Sequence, residues 1–387
     1  MAINVWEVSD AIKAFLPNLS AKLPADHLRT LDALSKCRTA ALGGHVDGCD
    51  KCGHMQISYN SCRNRHCPKC QGVEKEAWVV MQEDMMLPVV YYHIVFTLPH
   101  QFNSLCVHNA SPMYEALFKA AWYTLNMLAK DVKWLGAQTA ATMVLHTWGQ
   151  NLSFHPHLHC IVPNGGLSTF GQWQFPKRGN NNFLFPVKAM KDVFKARFLK
   201  LIRENFKQGN ITLPPDILNL GNFLDMLYKL DWVIYTKKPF SGAKNVIDYL
   251  ARYSHRVAIT NQRIKSIDKK HVCFEYKDYR SNGTKKTMAL TGEEFIRRLT
   301  LHFLPKGFRK IRMYGLVSNA SKSKSINKAR TSLGQKHREL LNKHQRRELA
   351  LLRLFVDPRR CPCCKKGTMI TINIVSPNKD PPIILNQ

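Results

Sequence analysis

The spacing of apolar residues changes repeatedly along the chain, and each change marks a predicted element. Residues 8 to 36 read as two short helices, broken at Pro17 and Pro24. A cysteine-rich stretch follows, then a helix from about Glu74 to Met86. Beyond Pro88 the texture changes. VVYYHIVFTL is short, β-branched and aromatic, so it reads as a buried strand stopped by Pro99. Residues 112 to 130 predict a helix. TAATMVLHTW and LHCIVP predict strands, and Asn164-Gly165-Gly166 turns the second into a further one, GLSTFGQWQF. Residues 187 to 206 carry the period of an amphipathic helix. DWVIYTKK then reads as a strand, KNVIDYLARY as a helix and HRVAIT as a strand. After about residue 266 come a basic β-rich piece, a helix near 292 to 302 and a long basic helical tail.

Hairpins alternating with crossing helices predict an α+β fold, with helices on a mostly antiparallel sheet. Three regions follow from the breaks in texture: a helical lead with a zinc-ribbon-like module over 1–86, a mixed domain over 87–265, and a basic C-terminal region over 266–387. The chain has no internal repeat and no low-complexity tract. Its 387 residues, 45% hydrophobic and 22% charged, belong to the globular class.

Charge narrows the partners. The chain carries 57 Lys and Arg against 27 Asp and Glu, a net charge of +30. Residues 319 to 360 alone hold 12 basic against 3 acidic side chains. Such an excess calls for a polyanion, and nucleic acid fits best, because phosphate neutralisation supplies most non-specific affinity. No basic amphipathic helix or lipidation motif argues for a membrane surface. MAINVWEVSD lacks the features of a signal peptide. The longest apolar stretch, 87 to 98, is too short to span a bilayer. A cytoplasmic location is therefore expected. In that reducing setting, cysteines act as thiols or metal ligands.

Six of the 12 cysteines fall within residues 37 to 70 and three within 361 to 364. CDKC at 49 to 52 and CPKC at 67 to 70 are separated by 14 residues. Two such turns joined together give the tetrahedral sulfur cage of Zn²⁺, so Cys49, Cys52, Cys67 and Cys70 are the expected ligands. Cys37, His45, His54, Cys62 and His66 offer a second site or a replacement ligand. Lys51, Arg63, Arg65 and Lys69, woven through the module, offer contacts to DNA. Cys361 and Cys364 form a further pair with no partner pair behind them, which His337 or His344 could complete.

HPHLHCIV, at 155 to 162, places histidines at alternate positions, so His155, His157 and His159 share one face of an extended chain. Two imidazoles at i and i+2 chelate one metal, while Leu158 between them buries itself behind the sheet. A divalent ion so held keeps open positions for a phosphate. In YLARY, Tyr249 and Tyr253 stand one helical turn apart. Residues on that flank of an apolar stripe are commonly core, yet tyrosine is a competent nucleophile at phosphorus. Arg252, His255 and Arg256 lie close by as phosphate ligands. Trp148, Trp232, Tyr276 and Tyr279 are candidates to stack bases.

FTLP (96 to 99), HLH (157 to 159) and YLARY (249 to 253), in that order, resemble the three motifs of HUH single-strand endonucleases. CRTAALGGHVDGCDKCGH and SCRNRHCPKC resemble the zinc-binding segment of one branch, the two-tyrosine transposases of rolling-circle bacterial insertion sequences, or insertion-sequence ninety-one family. The resemblance runs from about Cys37 past Ile259 and continues loosely through GFRKIRMYGLVSN. It implies an HUH domain over 87–265 and a basic DNA-binding region over 266–387. It implies a transposase that nicks and rejoins single-stranded DNA through a 5′-phosphotyrosine, with Tyr249 and Tyr253 as nucleophiles. His157 and His159 become ligands of a catalytic Mg²⁺ or Mn²⁺. The spacing of related conjugative relaxases makes His146 the third ligand, with Gln150 as substitute. The partners implied are single-stranded DNA at element ends and target DNA. Competing readings are a plasmid replication initiator or relaxase of the same chemistry, and a zinc-containing DNA-binding regulator without catalysis.

Overall fold

The computed structural model describes residues 6–20, 22–70, 72–178, 184–240, 257–278, 281–354, 357 and 359–377. The chain begins with helices α1 (Val8–Phe15) and α2 (Ala25–Ser35), the hairpin β1 (Gly44–Cys49) and β2 (Met55–Tyr59), and helix α3 (Gly72–Met85). Strand β3 (Tyr91–Thr97) is followed by helices α4 (Asn103–His108) and α5 (Ala110–Lys130). Strands β4 (Ala140–Trp148) and β5 (Phe154–Pro163) come next, with a small pair, β6 (Gly166–Leu167) and β7 (Trp173–Gln174). Helices α6 (Val187–Lys207) and α7 (Leu220–Lys229) lead to β8 (Ile234–Phe240). Then come β9 (Ile264–Ile267), β10 (His271–Asp278), β11 (Thr284–Thr291), helix α8 (Gly292–Thr300) and β12 (Ile311–Gly315). Helices α9 (Lys322–Ser332) and α10 (Lys343–Arg353) and strand β13 (Met369–Val375) complete the described chain. The class is α+β, as its hydrophobic patterning predicts.

A five-stranded sheet in the order β12-β4-β5-β3-β8 organises the molecule, and every neighbouring pair in it is antiparallel. Its strands alternate. Tyr92, Ile94 and Phe96 of β3, Met143 and Leu145 of β4, and Leu158, Cys160 and Val162 of β5 are buried in the main core with α5, α6 and α7. Phe194 and Phe198 of α6 pack edge-on around Trp232, whose indole donates to the Leu227 carbonyl. Trp232 is thus a core residue and offers no face to a base. Across the sheet, α3 covers one end of the opposite face, where Trp78 and Val79 pack on Tyr91 and Ile161.

The three regions expected from texture interlock in space. Strand β12, from the C-terminal region, forms an edge of the central sheet against β4. Strand β13 pairs with β1 in the order β13-β1-β2. The sheet β11-β10-β9 and helix α8 share a core with α1 and α2, through Ile12, Leu31, Phe274 and Phe295. These long-range pairings have no local signature, and texture reads only local breaks.

Some local expectations are corrected. GLSTFGQWQF forms only the two-residue strands β6 and β7, because Ser168 to Gln172 close a tight turn between them. The described part of HRVAIT forms no strand. Val257, Ala258 and Ile259 are instead buried irregular chain, the last two packed in the α1/α2 core. The segment 244–253, expected as a helix, lies outside the described residues.

His302 sits buried between the Thr147 hydroxyl and the Leu152 carbonyl. Burial pulls its pKa down to about 4. An unfolded histidine takes up its proton near 6.5, so between these values the unfolded chain binds more protons and stability rises with pH. The stabilisation is full above about 6.5 and is lost as the pH falls towards 4, by at most roughly 1.4 kcal/mol per unit. The thermal midpoint should therefore fall between pH 7 and 5, and fall less in His302→Gln. Parallel curves for the two proteins would contradict this origin.

Candidate metal centre and cysteine sites

The register of three strands builds a histidine cluster on the sheet face away from α5 to α7. His146 of β4 stands directly opposite His157 of β5, and Val144 opposite His159. On the other side, Thr97 and Val95 of β3 pair with His157 and His159. His146, His157 and His159 each offer a ring nitrogen to one small space, all within 4.8 Å of one another. Leu158 between the last two is fully buried on the helical side. The structure thus brings His146, His157 and His159 together and puts Leu158 on the other face.

Hydrogen bonds choose the tautomers. His157 Nδ1 lies 2.6 Å from the His155 carbonyl oxygen, so it donates and leaves the Nε2 lone pair free. His157 Nε2 is 3.1 Å from His159 Nε2. Nitrogens bound to one ion at about 2.1 Å stand about 3–3.4 Å apart, which this pair already meets. His159 Nδ1 is 2.8 Å from His93 Nε2, so a His159 that binds metal through Nε2 would donate its Nδ1 proton to His93. Burial lowers the pKa of His157 to about 4. It lowers that of His93 to about 3, aided by the charge of Lys237. Neutral rings at pH 7 are the form that binds metal. The donor set, three imidazole nitrogens converging from two neighbouring strands, fits a divalent ion.

Trp148 stacks on His146 at 4.6 Å between ring centroids, and the Lys310 ammonium lies 5.0 Å from the indole centroid on the way into β12. Burial, with Arg65 nearby, lowers the Lys310 pKa to about 7. His155 packs beside His157 at 5.2 Å but stays outside the converging set. Gln150 lies in the turn between β4 and β5, its carbonyl held by Arg263. His146 joins the cluster. Tyr249, Arg252, Tyr253, His255, Arg256 and Tyr279 lie outside the described residues.

The cysteines gather differently from expectation. Cys49 and Cys52 do not share a cage with Cys67 and Cys70. One tetrad is Cys37, Cys62, Cys67 and Cys70; the other is Cys49, Cys52, Cys361 and Cys364. The hairpin β1/β2 carries the CDKC turn to the far end of its sheet, while Cys67 and Cys70 fold back towards the end of α2. In the first tetrad Cys70 Sγ lies 3.3 Å from Cys37 Sγ and 3.6 Å from Cys62 Sγ. Four thiolates on zinc at about 2.3 Å stand about 3.8 Å apart, so this set fits Zn²⁺. His66, beside it, is not a member; its Nε2 accepts from the Leu304 amide. His45 pairs with Asp47.

Two basic residues expected to touch DNA have other work. Arg65 donates to the carbonyls of Leu304, Pro305 and Phe308, and Lys69 pairs with Glu7. Lys51 and Arg63 remain exposed. His93 was not singled out as a site residue by sequence reasoning. Its only signal is a polar side chain in the apolar run VVYYHIVFTL, on the same strand face as Val95 and Thr97.

A family model described as "Putative transposase" matches residues 140–325, and one described as "Transposase zinc-binding domain" matches residues 8–98. The chain is 41% identical over 401 residues to the protein named "Putative transposase y4qJ" of Sinorhizobium fredii (strain NBRC 101917 / NGR234), covering 99% of this chain and 98% of that one. It is 26% identical over 359 residues to the transposase for insertion sequence element IS801 of Pseudomonas savastanoi pv. phaseolicola, covering 90% of this chain and 84% of that one. Among solved structures, the metal-bound conjugative relaxase TrwC in complex with oriT DNA is 13% identical. It matches over 42% of this chain and 70% of that chain, with a TM-score of 0.25.

His93 contacts the cluster through the His159 ring. Replacing it by Phe should weaken Mn²⁺ binding about 10–100-fold in a calorimetric titration, with partial recovery in His93→Gln. An unchanged dissociation constant for His93→Phe would remove it from the centre.

Proposed function

The chain belongs to the insertion-sequence ninety-one family of transposases, with that family's zinc-binding domain near its N-terminus, and we propose that it nicks and rejoins single-stranded DNA at insertion-sequence ends through a 5′-phosphotyrosine intermediate. The observation that carries the reading is the convergence of His146, His157 and His159 on the sheet face opposite the main helical core. A bound Mg²⁺ or Mn²⁺ there supplies Lewis-acid polarisation of a non-bridging phosphate oxygen. The three imidazoles bring ring nitrogens to that point, with His157 held by the His155 carbonyl and His159 by His93.

Tyr249 or Tyr253 then attacks through its phenolic oxygen. An O–P bond forms to the tyrosine as the P–O3′ bond breaks, the phenol giving up its proton and the departing 3′ oxygen taking one up. Bond energy is retained in the phosphotyrosine, so a free 3′-hydroxyl reverses the step without a nucleotide cofactor. Two tyrosines let one enzyme hold two strands during transfer. Arg252, His255 and Arg256, in the same segment, are assigned to the phosphates. In this reading residues 1–86 hold zinc, 87–265 carry the chemistry, and the basic residues of 266–387 bind element-end and target DNA by neutralising phosphates. The setting is the bacterial cytoplasm. Among the described residues, no helix is long and apolar enough to cross a membrane.

The test is a denaturing gel of labelled single-stranded oligonucleotides carrying the element ends, incubated with protein and Mg²⁺ or Mn²⁺. A covalent adduct is expected for the natural chain and none for the double substitution Tyr249→Phe, Tyr253→Phe. His157→Ala forfeits several kcal/mol of charge stabilisation, so cleavage should slow at least about a hundredfold while DNA binding persists. Adduct in the double tyrosine variant would contradict the assigned nucleophiles. Absence of adduct with every cognate end would leave a zinc-containing DNA-binding regulator.

A further inference from the structure

We propose that Cys49, Cys52, Cys361 and Cys364 hold a second zinc ion, which clasps the C-terminal arm of the chain onto its N-terminal module. The four thiols come from opposite ends of the sequence, Cys49 and Cys364 being 315 positions apart, yet they converge. Cys49 Sγ is 3.8 Å from Cys364 Sγ, and Cys52 Sγ is 3.7 Å from Cys361 Sγ. These are far from the length of a disulfide, about 2.05 Å. They match the separation of about 3.8 Å between thiolates on one tetrahedral zinc.

The two turns are built alike. In each, the backbone amide four residues after the first cysteine donates to that cysteine's carbonyl: Gly53 to Cys49, and Lys365 to Cys361. Both donors have left-handed backbone, Gly53 at φ 70° and Lys365 at φ 57°. Backbone amides then point at sulfur, from Lys51 and Cys52 to Cys49 Sγ and from Gly367 to Cys364 Sγ. Amides aimed at sulfur stabilise the thiolate, the form that binds metal. The turns also grip each other. Asp50 Oδ1 accepts from the Thr368 amide at 2.7 Å, and the Asp50 amide donates to the Thr368 carbonyl. Gly367 is the point of closest approach, since a Cβ there would stand 2.3 Å from Cys49 Sγ. Strand β13 continues from this junction along β1, from Cys49↔Met369 to Gly44↔Val375.

Together, β1, β2, β13 and the two turns make one zinc ribbon whose halves lie at the two ends of the chain. The clasp holds in place helix α10, which reaches back to α3 through Arg353 to Glu76 and Glu83, and Arg347 to Glu74. A basic arm on a metal clasp keeps a fixed position on the body. Cys363, exposed between the pair, is outside the tetrad and serves as a control.

Native mass spectrometry of the full chain tests the assignment, and its principal arm needs no variant. The natural protein should carry two zinc ions per chain. Cys361→Ser with Cys364→Ser should carry one, and Cys363→Ser two. Limited proteolysis should release a C-terminal fragment from the Cys361/Cys364 variant that the natural protein retains. A natural chain with one zinc, with a mass shift for iron–sulfur or a disulfide, or a Cys361/Cys364 variant still holding two zincs, would overturn the proposal. This outcome is independent of whether the protein cleaves DNA.

Discussion

Alternation along Phe154–Pro163 is the constraint on which the rest of the structure depends. Leu158, Cys160 and Val162 face the helices and are buried; His157 and His159 face the other way. Each buried aliphatic side chain contributes about 1.5–3 kcal/mol relative to exposure. A slip of one residue would exchange the two sets, placing imidazoles among α5, α6 and α7 and aliphatic groups at the cluster. The packing that stabilises the sheet therefore also fixes the register of the histidines. Because β4 and β3 flank β5, the same register delivers His146 from one side and His93 from the other.

Preorganisation follows from that geometry. The His157 ring is held by the His155 carbonyl, His159 by its contact with His93, and His146 by the Trp148 stack, which limits the ring rotations that metal binding would otherwise have to freeze. A net charge of +30 acts at longer range, drawing in the polyanion whose phosphate the centre is proposed to engage. Some of that charge is structural. Arg65 and Arg330, the latter buried and donating to the Asp84 carbonyl, join segments distant in sequence. Arg338 and the Leu341 amide converge on the Asp84 carboxylate, tying the C-terminal region to the end of α3.

Much of this was legible in the sequence where the determinant is local. Short β-branched and aromatic runs mark β3, β4 and β5, and alternation along HPHLHCIV puts His157 and His159 on one face with Leu158 behind. His146 followed from resemblance in motif spacing, and the parity of β4 agrees with it. The family assignment rested on ordered motifs and was recovered from the whole chain. What stayed hidden depends on pairings across the sequence. Nearest-neighbour spacing joins CDKC to CPKC, but each pair closes with partners that only the tertiary fold supplies: Cys37 and Cys62 for one, Cys361 and Cys364 for the other. His93 was hidden for the same reason, since its role exists only once β3 lies beside β5. HRVAIT looked like a strand because buried irregular chain and buried strand share a composition.

In the proposed reaction, His146, His157 and His159 bind the divalent ion that assists DNA cleavage. Crystals of the natural protein equilibrated with Mn²⁺, examined by anomalous diffraction at the manganese edge, test it most directly. One strong peak is expected within bonding distance of His146, His157 and His159, and it should be lost in crystals of His157→Ala. Manganese bound elsewhere while the histidine cluster carries no peak would contradict it.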